Sequence, residues 1–251
     1  YASPHEFDKI YLANVRMLVS DDGGKNFKQM KEKEKHSDNH AVAWKKDDPD
    51  YIMVGCDGGL YESFDAEQNW KYHSNIPTIQ YYKLAVDDSK PFYNVYAGTQ
   101  DNNTHGGPSR TDNVHGIRNA DWFITLGGDG HQPATEPGNP NIIYSQSQRG
   151  NLSRIDRTNG ETIRIQPQPA EGDSYERYNW DAPVLVSPHS PTRLFFASQR
   201  VWRTDDRGDS WRPISGDLTR NEERITLDIM GGKQSWDNAW DYYAMSNYNS
   251  I

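Results

Sequence analysis

Hydrophobic residues in this chain are grouped in short runs, each of which starts at or just after a proline and ends at a small residue. The runs are rich in Ile, Val, Tyr and Phe, which are typical of β-strands, and proline is tolerated at the start of a strand. This pattern predicts strands within 49–55, 91–98, 140–145 and 191–197, with a shorter one at 10–12.

A second β-prone run precedes three of these strands, and the whole unit recurs along the chain. The preceding runs are 41–44, 82–86 and 183–186, and the prolines recur at spacings of 42 to 51 residues. A fixed period of about 40–50 residues is typical of propeller blades with four short strands. The sequence therefore predicts an all-β fold, a β-propeller of four-stranded antiparallel blades, with about five blades in 1–251. The repeat argues against the alternative, a β-sandwich.

Three copies of one turn sequence support this interpretation. Residues 20–27 and 204–211 both read Ser/Thr-x-Asp-x-Gly-x-x-aromatic, and 63–70 keeps everything except the glycine. The hydroxyl and carboxylate can accept backbone N–H groups within a tight turn, and glycine adopts the positive φ that the turn needs. The aromatic residue is expected to be buried beneath its hairpin. The structural residues of these turns are Ser20, Asp22, Gly24, Phe27, Ser63, Asp65, Trp70, Thr204, Asp206, Gly208 and Trp211.

With these turns the chain resembles the Asp-box (BNR-repeat) β-propellers. It is similar to sortilin/Vps10-like proteins and to two-propeller glycoside hydrolases of the xyloglucan type. The resemblance implies an extracellular or periplasmic protein that binds a protein, peptide or glycan. We expect the first blade to lack its opening strand and the run 240–245 to begin another. The chain is thus expected to be part of a longer polypeptide, with the remaining blades as partners.

Charge and composition narrow the possible partners. The net charge of −9 argues against nucleic acid, because phosphate binding needs a basic surface. The basic stretch 25–35 is interleaved with glutamates, so we expect a solvated loop there. The sequence has no apolar run long enough to cross a membrane, and its single cysteine, Cys56, cannot form an internal disulfide. We predict neither a cofactor nor a metal site.

One aspartate is a candidate catalytic residue. Asp57 lies in the segment 55–61, which is similar to the segment of the xyloglucan-type enzymes in which a catalytic aspartate precedes a Gly-Gly pair and Tyr. This chain has one residue fewer between the aspartate and the glycines. Because Asp-Gly is also typical of a plain hairpin turn, we favour a structural role and keep catalysis as the alternative.

Polar clusters in the connections between strands are candidates for ligand binding. The spacing His36-x-Asp38-x-His40 would place three side chains on one face of an extended strand. Further clusters lie at 100–107 and 127–131. We expect these residues to lie nearer the propeller axis than the aspartates of the repeated turns. The ligand-binding candidates are Asp38, His40, Asp101, Asp129 and His131.

Two functions follow from these observations. Glycoside hydrolysis requires two carboxyl groups facing each other across the bond that is cleaved. This chain offers Asp57 without a partner in a recognisable motif. We therefore expect a non-catalytic binding propeller, with a part of a glycoside hydrolase acting on β-glucan or xyloglucan as the alternative.

Overall fold

The computed structural model describes residues 1–76, 78–228, 232–235 and 237, and these residues are almost entirely β-strands and loops. The chain divides into two compact units, Tyr1–Thr78 and Ile79–Ile251. The strands of the first unit are β1 (Ile10–Leu12), β2 (Leu18–Ser20), β3 (Lys28–Gln29), β4 (Asn39–Lys45), β5 (Asp48–Cys56), β6 (Gly59–Ser63) and β7 (Lys71–Tyr72).

The second unit continues the series with twelve strands in its described residues. They are β8 (Lys83–Val86), β9 (Asn94–Gly98), β10 (Thr104–Pro108), β11 (Phe123–Leu126), β12 (Ala134–Glu136), β13 (Asn139–Ser147), β14 (Asn151–Asp156), β15 (Glu161–Arg164), β16 (Val184–Val186), β17 (Leu194–Ala197), β18 (Val201–Thr204) and β19 (Arg212–Pro213). Short 3₁₀ turns occur at Asn119–Asp121 and Arg224–Thr226.

Consecutive strands pair antiparallel to form separate sheets. Strands β4–β7, β8–β11, β12–β15 and β16–β19 each form a four-stranded sheet in chain order, and β1–β3 form a three-stranded one. The predicted all-β fold of four-stranded blades is confirmed. That the first blade lacks its opening strand stays a prediction, and Ala2 pairs antiparallel with Ile10 of β1. The strand predicted at 240–245 lies outside the described residues. That residues 1–251 form one propeller region stays a prediction.

The core of the first unit lies between its two sheets. Tyr11, Met17 and Val19 of the three-stranded sheet pack against Ile52 and Val54 of β5, and all five are nearly or fully buried. The strand residues whose side chains alternate toward the neighbouring sheet therefore supply the hydrophobic contact.

In the second unit the first strands of successive sheets are neighbours. Strand β12 lies against both β8 and β16, so the sheets stack face to face with their first strands adjacent. The largest core cluster fills the space between the sheets β12–β15 and β16–β19. It contains Tyr144, Leu152, Leu194 and Phe196, all at most 1% exposed. This is the packing between neighbouring blades of a propeller.

The repeated turns share one pattern of hydrogen bonds. In the first, the backbone N–H of Gly24 donates to Ser20 Oγ at 2.9 Å, and that hydroxyl donates to Asp22 Oδ1 at 2.8 Å. The backbone N–H and side-chain amide of Asn26 donate to the two oxygens of Asp22 at 2.9 and 2.7 Å. The turns at 63–70 and 204–211 repeat these bonds.

These donors stabilise the ionised carboxylates. The side-chain donors at Asn26, Asn69 and Ser210 are the main cause that lowers the pKa of Asp22, Asp65 and Asp206 to about 2. Each aspartate is thus occupied by its own turn.

The aromatic residues of the three turns differ in burial. Trp70 is 7% exposed, and its indole N–H donates to the carbonyl of Lys31 at 2.8 Å. Trp211, also expected to be buried, is only partly buried, and its indole N–H donates to the carbonyl of Ile165 at 2.7 Å. Phe27, expected to be buried, is 40% exposed. The tryptophans reach the segment after the last strand of the preceding sheet. Phe27 cannot make this bond, because phenylalanine has no N–H to donate.

The copy that lacks glycine keeps the backbone geometry of the others. Glu67 replaces the glycine and has φ of +69°, compared with +88° for Gly24 and +92° for Gly208. The hydrogen bond between the Glu67 N–H and Ser63 Oγ holds the backbone there at 3.1 Å. The turn therefore forms despite the steric cost of a side chain at positive φ.

The order of strands within a sheet separates the repeated turns from the polar clusters. In a four-stranded meander, the second-to-third turn lies at the opposite end from the third-to-fourth turn. Asp57 thus lies at one end of β6, and the repeated turn at 63–70 lies at the other. The connection into the next sheet returns to the same end as the second-to-third turn. The second-to-third turn and the connections between sheets therefore lie at the same end of a sheet, and these are the loops in which the candidate site residues occur.

Candidate functional site

In the first unit, Asp57 occupies a tight turn and is paired with a histidine. Asp57 and Gly58 form the two-residue turn between β5 and β6, as the Asp-Gly pair predicts. Asp57 Oδ1 lies 2.5 Å from Nε2 of the exposed His40. Gly58 lies against the His36 ring, where a Cβ atom would come within 2.4 Å of Cγ. Asp57 is therefore exposed at the surface and interacts with an imidazole.

The segment before β4 does not form the extended strand that the His36-x-Asp38-x-His40 spacing suggested. Asp38 has φ of +60° and β4 starts only at Asn39, so the expectation of a single extended face is wrong. The turn at Asp38 nevertheless brings its carboxylate within 4.8 Å of a carboxylate oxygen of Asp57. The backbone N–H of Asp57 also donates to the Asp38 carbonyl at 3.1 Å. Asp38, His40 and Asp57 therefore form one cluster.

A buried ion pair supports this cluster, and sequence reasoning missed it. Lys35 Nζ lies 2.9 Å from Glu32 Oε1, and both side chains are at most 2% exposed. Asn39 joins them, since its side-chain amide donates to the same Glu32 oxygen at 3.1 Å. The stretch 25–35 was expected to be a solvated loop, but its last charged residues are part of the interior. They fold back because each satisfies the other's charge.

In the second unit, the loop 127–131 packs directly on the turn between β9 and β10. The N–H of Gly130 donates to the carbonyl of Thr99 at 2.6 Å, and the N–H of Asn103 donates to the carbonyl of Gly128 at 2.7 Å. These backbone bonds place the predicted candidates Asp101 and Asp129 on two adjoining loops. Asp129 is 8% exposed.

His131 is the most deeply buried of the predicted candidates. Its side chain is fully buried, and neither ring nitrogen has a hydrogen-bond partner among the described residues. The ring stacks against Tyr82, with centroids 6.1 Å apart and an angle of 11° between the planes. Burial lowers the pKa of His131, Asp181 and Asp129 act in the opposite direction, and Lys83 adds to the lowering. Because the His131 ring is fully buried, a ligand would contact the exposed residues next to it rather than the ring itself.

Four residues next to His131 form a largely exposed surface, of which sequence reasoning singled out only Gln100, in the cluster 100–107. Tyr82 is 48% exposed and its hydroxyl donates to Gln100 Oε1 at 2.9 Å. Next to it, Lys83 Nζ lies 3.0 Å from Asp181 Oδ2. We name Tyr82, Lys83, Gln100 and Asp181 the Tyr82 surface. A signal was present, since Tyr82 directly precedes the first strand of its sheet, Lys83 begins that strand, and Gln100 lies in a second-to-third turn, like Asp57.

The buried imidazole predicts that the second unit is less stable in acid. A His whose pKa is lowered by folding takes up a proton more readily in the unfolded chain, so stability is lost as pH falls below about 6.5. The slope is at most about 1.4 kcal/mol per pH unit for one such group. Denaturant unfolding at pH 8 and pH 5 should show a smaller loss for His131→Leu than for the unchanged chain.

The control is His189→Gln, which removes an exposed imidazole of the same unit. It should leave the difference in unfolding free energy between the two pH values unchanged. An equal pH dependence in His131→Leu and the unchanged chain would contradict the assignment of this effect to His131. His105, whose pKa burial also lowers, acts with the same sign and is present in both chains.

Comparison with known proteins gives likeness only at the level of structure. No family model and no curated protein matches the sequence. The GH74 enzyme of Niastella koreensis is 12% identical, with 84% of this chain and 37% of that chain covered and a TM-score of 0.38. The GH74 xyloglucanase of Xanthomonas campestris is 18% identical, with 86% and 38% covered and a TM-score of 0.36. YCF48 bound to D1 peptide is 13% identical, with 83% and 64% covered and a TM-score of 0.32.

This chain thus spans less than two fifths of the length of either GH74 structure. At these identities and TM-scores, the likeness carries no argument about activity, substrate or partner. Within the described ranges, no helix is long and apolar enough to cross a bilayer.

Proposed function

We propose that this chain is part of an Asp-box β-propeller that binds a glycan, peptide or protein outside the cytoplasm without cleaving it. The three repeated turns, with their shared hydrogen bonds, support the Asp-box assignment. The sortilin-like character and the extracellular or periplasmic location rest on the sequence resemblance. The Tyr82 surface is the binding site that we favour, with Asp101 and Asp129 on the adjoining loops.

The observation that carries the proposal is the direction in which the pKa values of the carboxyl groups are shifted. A glycoside hydrolase that works through a general acid needs one carboxyl whose pKa is raised. Among the described residues, every Asp or Glu whose pKa is shifted has it lowered. The candidate catalytic carboxylate, Asp57, is paired with His40 at 2.5 Å. The lowered pKa values support binding rather than hydrolysis by a general acid.

The exposed ring of Tyr82 favours a sugar as the ligand of this surface. A sugar ring offers a flat apolar face with hydroxyl groups at its edge. Tyr82 supplies a flat apolar face, and Gln100, Lys83 and Asp181 supply hydrogen-bonding and charged groups beside it. A peptide ligand uses the same groups less completely, because its backbone needs a free strand edge or groove.

Hydrolysis and binding can be tested on the same purified protein. We expect no reducing sugar to be released from xyloglucan or β-glucan, either by the unchanged chain or by Asp57→Asn. Sugar release that Asp57→Asn abolishes would overturn the proposal in favour of the alternative, part of a glycoside hydrolase. Such a result would require a second carboxyl group opposite Asp57.

Binding is measured by retardation in gels that contain each polysaccharide. Retardation should weaken in Tyr82→Ala and persist in Tyr93→Ala, which removes a similarly exposed tyrosine (49%) from the same unit. Equal retardation of the two variants would show that the Tyr82 surface is not the site.

A further inference from the structure

Three side chains of the second unit, among them His131, carry buried polar atoms that have no hydrogen-bond partner among the described residues. The atoms are both ring nitrogens of His131, Asp181 Oδ1 and Gln146 Oε1. Buried polar atoms are almost always hydrogen-bonded, so these exceptions need an explanation. The set is complementary in one protonation state, because a protonated imidazole offers two N–H donors and the two oxygens are acceptors.

Gln146 connects the two segments that carry the other residues. Its side-chain amide donates to the carbonyl of Gln132 at 3.3 Å, and Gln132 directly follows His131. The same amide donates to the carbonyl of Ala182 at 2.5 Å, and Ala182 directly follows Asp181. The three side chains with unpartnered atoms therefore belong to one cluster.

This cluster lies next to the ion pair of the Tyr82 surface. Burial lowers the pKa of His131, the carboxylates of Asp181 and Asp129 oppose this effect, and Lys83 adds to it. Asp181 is shared, since its other oxygen, Oδ2, lies 3.0 Å from Lys83 Nζ. The titratable groups on the elements packed around the ring are Tyr82, Lys83, Asp101, Asp129 and Asp181.

A proton on His131 changes which of these contacts is favourable. A charged ring without an acceptor is costly to bury, and Asp181 Oδ1 is a buried acceptor that lacks a donor. If the ring donates to Asp181, the carboxylate is drawn away from Lys83. Because Lys83 directly follows Tyr82, loss of this ion pair also frees the residue that stacks on the ring.

We propose that the Tyr82 surface is a pH-sensitive switch, in which protonated His131 takes Asp181 from Lys83 and displaces Tyr82. A ligand that is bound at neutral pH is then released in acid. The release rests on the proposed function of this surface, whereas the rearrangement does not. Since the pKa of His131 is lowered, the folded chain takes up this proton below the ordinary value of about 6.5.

The rearrangement is measured without a ligand, by NMR of ¹³C-labelled tyrosine rings between pH 8 and pH 5. The Tyr82 signal is the one that Tyr82→Phe removes, and circular dichroism verifies that the chain stays folded. This signal should shift with a midpoint below about pH 6.5 in the unchanged chain. In His131→Gln it should keep one position. His189→Gln, which removes an exposed imidazole of the same unit, should leave the midpoint unchanged.

Asp181→Asn is a second test, because a substitution of the buried His131 can prevent folding. It keeps the imidazole but removes the charge that attracts the proton, so the midpoint should move to lower pH. A Tyr82 signal that stays constant between pH 8 and pH 5 in the unchanged chain would overturn the switch. So would a shift that persists in His131→Gln, or a midpoint that Asp181→Asn leaves in place.

Release is measured separately, by retardation in gels that contain xyloglucan. Retardation should be lost between pH 8 and pH 5 in the unchanged chain and should persist at pH 5 in His131→Gln. Equal retardation of the unchanged chain at both pH values would contradict the release. Absence of retardation at pH 8 would contradict the proposed function, and the NMR titration would still decide whether the switch exists.

Discussion

Replacing Gly98 with alanine is expected to destabilise the second unit by about 3 kcal/mol or more, at the upper end of what overpacking costs. A Cβ at this position would lie 2.0 Å from the carbonyl oxygen and 2.4 Å from the nitrogen of His131, and 2.5 Å from the carbonyl carbon of Gly130. All three are backbone atoms, which cannot move aside by a change of rotamer. The loop would have to separate from the end of β9.

Separation would also cost hydrogen bonds and expose the buried ring. The loop is held by the bond from the Gly130 N–H to Thr99 and by the bond from the Asn103 N–H to Gly128. His131 lies directly after these residues and is fully buried. We therefore expect Gly98→Ala to lower the unfolding free energy and to weaken binding at the Tyr82 surface. Urea denaturation followed by fluorescence measures the first effect.

Gly216→Ala is the matched control in the same unit. A Cβ at Gly216 meets nothing within 4 Å, so its effect should stay within about 0.5 kcal/mol. If Gly98→Ala and Gly216→Ala had equal unfolding free energies, the close packing of the loop on β9 would be refuted.

The strands could be predicted because their signals are local. Proline at the start, β-branched and aromatic residues within, and a small residue at the end occur in one short stretch, and the stretch recurs. The repeated turns were equally accessible, since the bonds of Ser20 and Asp22 reach no further than Asn26. Local chemistry therefore gave the fold class and most strand positions.

The properties that depend on distant residues were not accessible in this way. Trp70 and Phe27 occupy the same place in the repeat, but only Trp70 has a ring N–H, which donates to the carbonyl of Lys31. Glu32 and Lys35 read as a solvated charge run because nothing in the sequence shows that they face each other. In each case burial is decided by a partner that the local pattern does not contain.

The same contrast between local sequence signals and contacts of distant residues applies to the candidate site. Asp129 and His131 were found because a Gly-rich polar loop is visible in the sequence. Tyr82 and Asp181 were missed because they lie about 50 residues from that loop on either side, and only folding brings them to it. Gln100, the hydrogen-bond partner of Tyr82, was found because it belongs to the polar cluster 100–107.

Replacing Glu176 with glutamine is expected to destabilise the second unit by about 2–3 kcal/mol. Loss of one member of a buried ion pair costs about 3–5 kcal/mol, and the 21% exposure of the Arg200 side chain reduces this. Glutamine retains one acceptor oxygen but removes the charge that Arg200 needs. Its amide group would also face the Ser198 hydroxyl or the Trp202 N–H, which now donate to the carboxylate.

The destabilisation caused by Glu176→Gln should become smaller at acidic pH. Burial raises the pKa of Glu176, but the hydrogen bonds from Arg200, Ser198 and Trp202 outweigh it, so the pKa lies below the ordinary value of 4.5. A carboxyl with a lowered pKa stabilises the fold above its unfolded pKa, and this contribution is lost as pH falls through the folded pKa. The difference between Glu176→Gln and the unchanged chain should therefore be full at pH 7 and shrink below about pH 4.5.

Asp205→Asn is the matched control, because Asp205 is an exposed carboxylate that also forms ion pairs with arginines. Asp205 also bonds two arginines, Arg193 and Arg203, but its side chain is 45% exposed. Water screens exposed ion pairs, so Asp205→Asn should destabilise the unit much less than Glu176→Gln at pH 7. The measurement is the unfolding free energy of Glu176→Gln, Asp205→Asn and the unchanged chain, from urea titrations at pH 7 and pH 4. A Glu176→Gln variant as stable as Asp205→Asn at pH 7 would contradict the expected cost of losing the buried carboxylate, because the two substitutions remove the same charge and differ chiefly in burial.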